Sequence, residues 1–88
     1  MNKEICHQQL NCTRGVINLL YDFEKVNYFT TNYQFNGTYH IRVYGTDENN
    51  KSICIHYHTE DKLLYDYTVS LLNTMMKYAN KFFKRFNI

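Results

Sequence analysis

The chain has 88 residues, of which 44% are hydrophobic and 17% aromatic, and its formal net charge is +2. This length allows one domain, residues 1–88, and the aromatic side chains supply the apolar core that excludes a disordered chain. No stretch approaches the ~20 consecutive apolar residues of a membrane span. The N-terminal residues also lack the apolar core of a signal peptide, so we expect a cytoplasmic protein without membrane contact.

The first predicted element is a helix within residues 5–23. Gly15 weakens its middle, and Thr13 offers an N-cap for a shorter helix, so the helix is better defined near Leu20 than at its start. The prediction depends on apolar residues that recur with helical spacing, namely Ile5, Cys12, Val16, Leu19, Leu20 and Phe23.

Between residues 26 and 58 the apolar period changes to two, which predicts three antiparallel strands. Asn36-Gly37 marks a hairpin turn after the first strand, and residues 45–50 form a polar turn before the third. The covered face is predicted to carry Tyr39, Ile41, Val43, Ile53, Ile55 and Tyr57. The wet face is predicted to carry Tyr28, His40, Arg42, Tyr44, Ser52, Cys54, His56 and His58.

A long final helix is predicted to follow a cap at Thr59 or Glu60. Its apolar stripe is Tyr65, Val69, Leu72, Met76, Ala79, Phe83 and Phe86, widened by Leu64, Leu71, Met75, Tyr78 and Phe82. About 26 helical residues would reach ~39 Å, whereas strands of this length cover only ~20–27 Å. The helix therefore either breaks near residues 77–80 or projects, and a projecting end predicts a homodimer through Phe82, Phe83 and Phe86.

These elements predict an α+β fold with an N-terminal helix, a three-stranded antiparallel meander and a long C-terminal helix, both helices lying on one sheet face. This order is similar to the double-stranded-RNA-binding domain. That family has a Lys-rich start to its last helix, where residues 59–64 here read Thr-Glu-Asp-Lys-Leu-Leu, so its RNA-binding activity is not carried over. Size and layout also resemble the small phage-encoded anti-CRISPR and anti-restriction proteins, which implies an inhibitor directed at a host protein.

Motifs for catalysis are missing from the sequence. It contains no Gly-rich phosphate loop, no H-E-x-x-H and no G-x-S-x-G pattern. The paired carboxylates fall at predicted turns and at a helix start, where side chains are solvated or cap the helix: Asp22 and Glu24, Asp47 and Glu48, Glu60 and Asp61. We therefore predict a binding protein that is not an enzyme and uses no cofactor.

The predicted partner is a protein, such as a nucleic-acid-associated host defence complex. The surface predicted to bind it comprises the wet sheet face and the adjacent turn, namely Tyr28, His40, Arg42, Tyr44, His56, His58, Asp47 and Glu48. Nucleic acid is the alternative partner, because residues 62–88 carry a net charge of +4 against −2 for residues 1–61. The residues predicted to contact it are Arg42, Lys77, Lys81, Lys84 and Arg85.

Histidines on the wet face raise the question of a metal site. If the covered faces align, His40 lies opposite His56 and Arg42 opposite Cys54. Imidazoles and a thiolate are a sensible ligand set for Zn²⁺. Strand side chains at i and i+2 stand well apart, however, so we predict no metal and interpret the histidines as exposed or interface residues.

Overall fold

The fold was obtained as a computed structural model, which describes residues 5–78 and the side chains of residues 7–78. One sheet contains four strands in the order β1-β4-β3-β2, with β1 parallel to β4 and the other neighbours antiparallel. The architecture is mixed α+β, with a C-terminal helix packed on the sheet. Its elements are β1 Ile5–Gln9, α1 Thr13–Ile17, α2 Leu19–Asp22, β2 Lys25–Tyr33, β3 Tyr39–Thr46, β4 Ser52–Thr59 and α3 Lys62–Lys77.

The predicted N-terminal helix is wrong in its first part, where Ile5–Gln9 form β1. Pairing with β4 satisfies the backbone of this segment, and just after it the Leu10 amide donates to the His58 carbonyl at 2.8 Å. Helical structure begins only at Thr13, and the two short helices carry Val16 and Leu19 into the core. Helical structure is therefore present in the predicted segment only from residue 13 onward, as two short helices.

The meander of β2, β3 and β4 is confirmed, and so is the hairpin turn at Asn36-Gly37. Gly37 has a positive φ of 86°, which glycine adopts without steric cost. The turn is closed by the Gln34 amide, which donates to the Thr38 carbonyl at 2.9 Å. The Asn36 side chain accepts from the Thr38 amide at 3.1 Å.

The register of β3 with β4 differs by two residues from the prediction. β3 extends to Thr46, opposite Ser52, because the connecting loop is shorter than the predicted turn. Asp47 stabilises this short loop by accepting from the amides of Asn49 and Lys51, both at 2.9 Å. A shift of two residues keeps every side chain on its predicted face.

Gly45 is required by the pairing of β2 with β3. A β-carbon at this position would overlap the carbonyl oxygen of Lys25 on the neighbouring strand. The pairing is irregular next to it, between Val26 and Tyr28, which indicates a β-bulge. The absence of a side chain at residue 45 thus lets the two strands approach.

The core lies between the helices and the predicted covered face, of which Ile41, Val43 and Tyr57 are fully buried. In α3 the buried residues are Leu64, Thr68, Leu72 and Met75. The buried face of α3 is therefore rotated about the helix axis relative to the predicted stripe through Val69 and Met76. Met76 is 41% exposed, whereas Met75 is 1% exposed. Thr68 can occupy the core because its hydroxyl donates to the Leu64 carbonyl at 2.6 Å, a possibility that an apolar pattern does not include.

Both ends of α3 differ from the predicted helix. Its N-cap is Asp61, whose carboxylate accepts from the Leu63 amide at 2.9 Å, whereas the predicted cap Thr59 is buried. The helix ends at Lys77, and Tyr78 has extended backbone with φ −130° and ψ 143°. This end agrees with the predicted break near residues 77–80. The predicted homodimer contacts Phe82, Phe83 and Phe86 lie outside the described residues.

No helix within residues 5–78 combines the length and the apolar character that crossing a membrane requires.

We predict that Leu72→Ala destabilises the protein far more than Met76→Ala. Leu72 is fully buried, so its truncation leaves a cavity that costs about 2–5 kcal/mol of unfolding free energy. Met76 is 41% exposed, and its truncation should cost less than about 1 kcal/mol. Urea denaturation of both variants measures the difference, and equal losses would show that the orientation of α3 is wrong.

Candidate functional site

The side chains that alternate with the core form the outer sheet face, which we define by three rows across the strands. Tyr28 is 47% exposed here and Arg42 is also exposed, because the helices pack on the opposite face. None of the residues in these rows is acidic. The strand pairing gives a first row of Cys54, Tyr44 and Tyr28, a second of His7, His56, Arg42 and Thr30, and a third of Gln9, His58, His40 and Asn32.

A stacked tyrosine pair occupies the first row. The rings of Tyr28 and Tyr44 lie 4.5 Å apart between centroids and within 10° of parallel. Tyr44 is paired directly with Cys54, which is fully buried although the sequence placed it on the wet face. The Cys54 thiol is therefore inaccessible to a partner or to a metal ion from solution.

All four histidines of the chain meet in the second and third rows, and we call them the histidine cluster: His7, His40, His56 and His58. His7 stacks on His56 with centroids 4.6 Å apart and lies 4.5 Å from His58. The His40 ring is 5.0 Å from that of His56 and 6.0 Å from that of His58. The cluster arises because the register places β1 and β3 on either side of β4.

The pKa values of two members of the cluster, His56 and His58, are lowered. Partial burial, followed by the charges of Arg42 and the neighbouring imidazoles, lowers the pKa of His56 to about 4. Burial and two neighbouring imidazoles also lower the pKa of His58, against a smaller opposing effect of Glu60. At pH 7 the imidazoles of His56 and His58 are therefore neutral, and each has a lone pair available.

Hydrogen bonding in the cluster is incomplete. His40 Nδ1 and His56 Nε2 are 2.8 Å apart, and the tautomers decide which of them donates. His40 Nε2 and His58 Nδ1 are buried and have no hydrogen-bond partner. Buried polar atoms are normally satisfied, so these two nitrogens are exceptions among the described side chains. As the rings stand, no group of three or more His, Cys, Asp or Glu side chains within residues 5–78 is arranged to hold a metal ion.

Most predicted contact residues come together on the outer sheet face: Tyr28, His40, Arg42, Tyr44, His56 and His58. Asp47 and Glu48 lie outside the three rows, in the loop that Asp47 stabilises. Lys77 is exposed in the last turn of α3. The other basic residues of the nucleic-acid alternative, Lys81, Lys84 and Arg85, lie outside the described residues.

Sequence reasoning missed the contribution of β1, which adds His7 and Gln9 to the outer sheet face. The signal in residues 5–10 is weak, since His7, Gln8 and Gln9 are consecutive exposed polar residues and Leu10 is buried. Six residues are too few to distinguish a strand from a helix start. Thr30 and Asn32 share the outer sheet face, as the predicted alternation of the first strand implies.

Comparison with known protein families, with curated proteins and with solved structures found no match to this chain. Function must therefore be inferred from the chemistry of the outer sheet face.

We predict that the folded state loses stability as the pH falls from about 6.5 towards 4. The folded-state pKa of His56 is about 4, below the ordinary 6.5, so the unfolded chain binds more protons in this window. The folded state is therefore most stable, with respect to His56, above pH 6.5, and it loses this stability as the pH falls from 6.5 to about 4. His56→Gln should flatten the dependence, as measured by urea denaturation at several pH values.

The comparison between parent and variant is essential, because burial raises the pKa of Asp22 and this carboxyl acts in the opposite sense. NMR titration of the ring protons measures His56 directly. A His56 pKa near 6.5, together with parallel stability curves for parent and variant, contradicts the crowding argument.

Proposed function

We propose that this chain is a non-enzymatic binding protein that docks a protein partner on its outer sheet face. The observation that carries the proposal is the composition of this face: a stacked Tyr28–Tyr44 pair beside exposed Arg42, with no acidic side chain in the three rows. Such a face offers stacking, hydrogen bonding and one fixed positive charge. We therefore infer that this face serves recognition.

Tyrosine and arginine are the residues that most often dominate the energy of protein interfaces. The Tyr28 ring is held by its stack on Tyr44, so docking would cost little side-chain entropy. Arg42 lies in the middle row, with Thr30 on one side and His56 on the other. A partner that places a carboxylate on Arg42 and an apolar group on the tyrosines would match both features.

An inhibitor encoded by a phage or mobile element, of the anti-CRISPR or anti-restriction kind, is the biological form of this proposal. A small domain that presents one flat face can act by occupying a surface that a larger complex needs. The support is the size and architecture of the chain together with the composition of its outer sheet face.

Nucleic acid is the second candidate partner, favoured by the stacked tyrosines because bases stack on aromatic side chains. The formal net charge of the whole chain is only +2, which argues against it. Phosphate binding depends on concentrated positive charge, so we rank the protein partner first.

We predict that Arg42→Ala and Tyr28→Ala abolish capture of the partner and leave folding intact, because both side chains are exposed. The assay captures proteins with the untagged chain coupled to a resin and quantifies each captured protein by mass spectrometry. Arg14→Ala and Tyr67→Ala are matched controls, since they remove the same residue types from exposed positions on α1 and α3. A partner that the controls lose and the face variants retain would place the interface elsewhere.

Fluorescent oligo-dT and oligo-rU titrations at two salt concentrations separate the two candidates. We expect no saturable binding at either concentration. Binding that weakens steeply with salt and is lost in Tyr28→Ala would establish the nucleic-acid alternative in place of the protein partner.

A further inference from the structure

The proposed docking function is argued from Tyr28, Tyr44 and Arg42 and does not use the histidine cluster. Three of its members have the chemistry of a metal site: His40 on β3, and His56 and His58 on β4. Three imidazoles with an open fourth position are an established ligand set for zinc.

Spacing of the three rings suits a common ion. In a tetrahedral site with metal–nitrogen bonds of about 2.0–2.1 Å, the centroids of two bound imidazoles lie about 5 Å apart. The observed centroid distances are 5.0 Å for His40–His56, 6.0 Å for His40–His58 and 6.4 Å for His56–His58. Each ring therefore needs to move by about 1 Å or less to reach a shared ion.

The nitrogens also need to turn towards one point, because in the present arrangement His40 and His56 contact each other and His7 stacks on His56. Rotation about the terminal torsion of a histidine is broad and costs little. Metal binding would replace the hydrogen bond between His40 and His56. It would also use imidazole lone pairs in a cluster where His40 Nε2 and His58 Nδ1 are buried without a hydrogen-bond partner.

We propose that His40, His56 and His58 form a binding site for a late divalent transition-metal ion of the Zn²⁺, Ni²⁺ and Cu²⁺ class, with the fourth position open to water or to a side chain of a partner. Imidazole selects these ions over Mg²⁺ and Ca²⁺, which prefer oxygen ligands. His7 lies beside the site as a stacking ring. This inference goes beyond the proposed docking function and does not depend on it.

The test is a titration of Co²⁺ into the full chain at pH 7.5, produced without a histidine tag and with Cys6→Ser and Cys12→Ser, so that Cys54 is the remaining thiol. We expect one Co²⁺ per chain, seen as visible ligand-field absorption that Zn²⁺ abolishes by displacement. The spectrum should lack the near-ultraviolet charge-transfer band of a thiolate ligand, since Cys54 is buried. His40→Gln, His56→Gln and His58→Gln should each weaken binding about tenfold or more.

His7→Gln is the matched control, because it removes an imidazole from the same cluster without removing a ligand. We expect it to bind Co²⁺ as the parent does. Absence of saturable Co²⁺ binding overturns the proposal. So does binding that the three substitutions leave unchanged, or that His7→Gln weakens as much as they do.

Arg42→Gln provides a second measurement in a variant that keeps every proposed ligand, should a histidine variant fail to fold. Arg42 is paired directly with His56, so its positive charge opposes a bound dication. We expect Arg42→Gln to bind Zn²⁺ several-fold more tightly, and unchanged or weaker binding argues against an ion held beside His56.

Discussion

Pairing of β4 along both of its edges is the interaction on which the rest of this structure depends. One edge pairs with β1 in parallel and the other with β3 in antiparallel orientation. The alternation of β4 then assigns Ile55 and Tyr57 to the core and turns His56 and His58 outward. The same strand therefore supplies both the packing that stabilises the fold and the centre of the outer sheet face.

The histidine cluster follows from that pairing and carries a cost. Imidazoles with centroids 4.5–6.4 Å apart cannot all be protonated without mutual repulsion, which burial in the sheet strengthens. At neutral pH His56 and His58 are uncharged, because the pKa values of both are lowered. A cluster whose proton binding disfavours the folded state is not needed for the core, and positions that break a local rule of stability are often functional.

The proposed docking site and the proposed metal site lie on neighbouring parts of one surface, so each would influence the other. A divalent ion at His40, His56 and His58 would add positive charge next to Arg42 and strengthen the attraction for an acidic partner. An open fourth position would allow a partner side chain to complete the coordination. The Tyr28–Tyr44 stack lies in the adjacent row, where it remains available for apolar contact.

By itself the sequence determined the local features of this protein. Alternation predicted the meander and the faces of its strands, Asn36-Gly37 predicted the hairpin, and the apolar stripe predicted α3. These signals are readable because their periods are set by the backbone geometry of one strand or one helix. Six of the predicted contact residues share a face of the sheet, as the alternation predicted, for the same reason.

Tertiary structure decided what depends on neighbours distant in sequence. β1 exists because β4 pairs with it, more than forty residues away, and His7 joins the cluster only through that pairing. The register that sets His40 opposite His58 follows from the short loop built on Asp47, and the rotation of α3 that buries Met75 follows from packing on the sheet. A one-dimensional pattern contains the period of each element but not the partner it meets, and that partner determines register, orientation and the site.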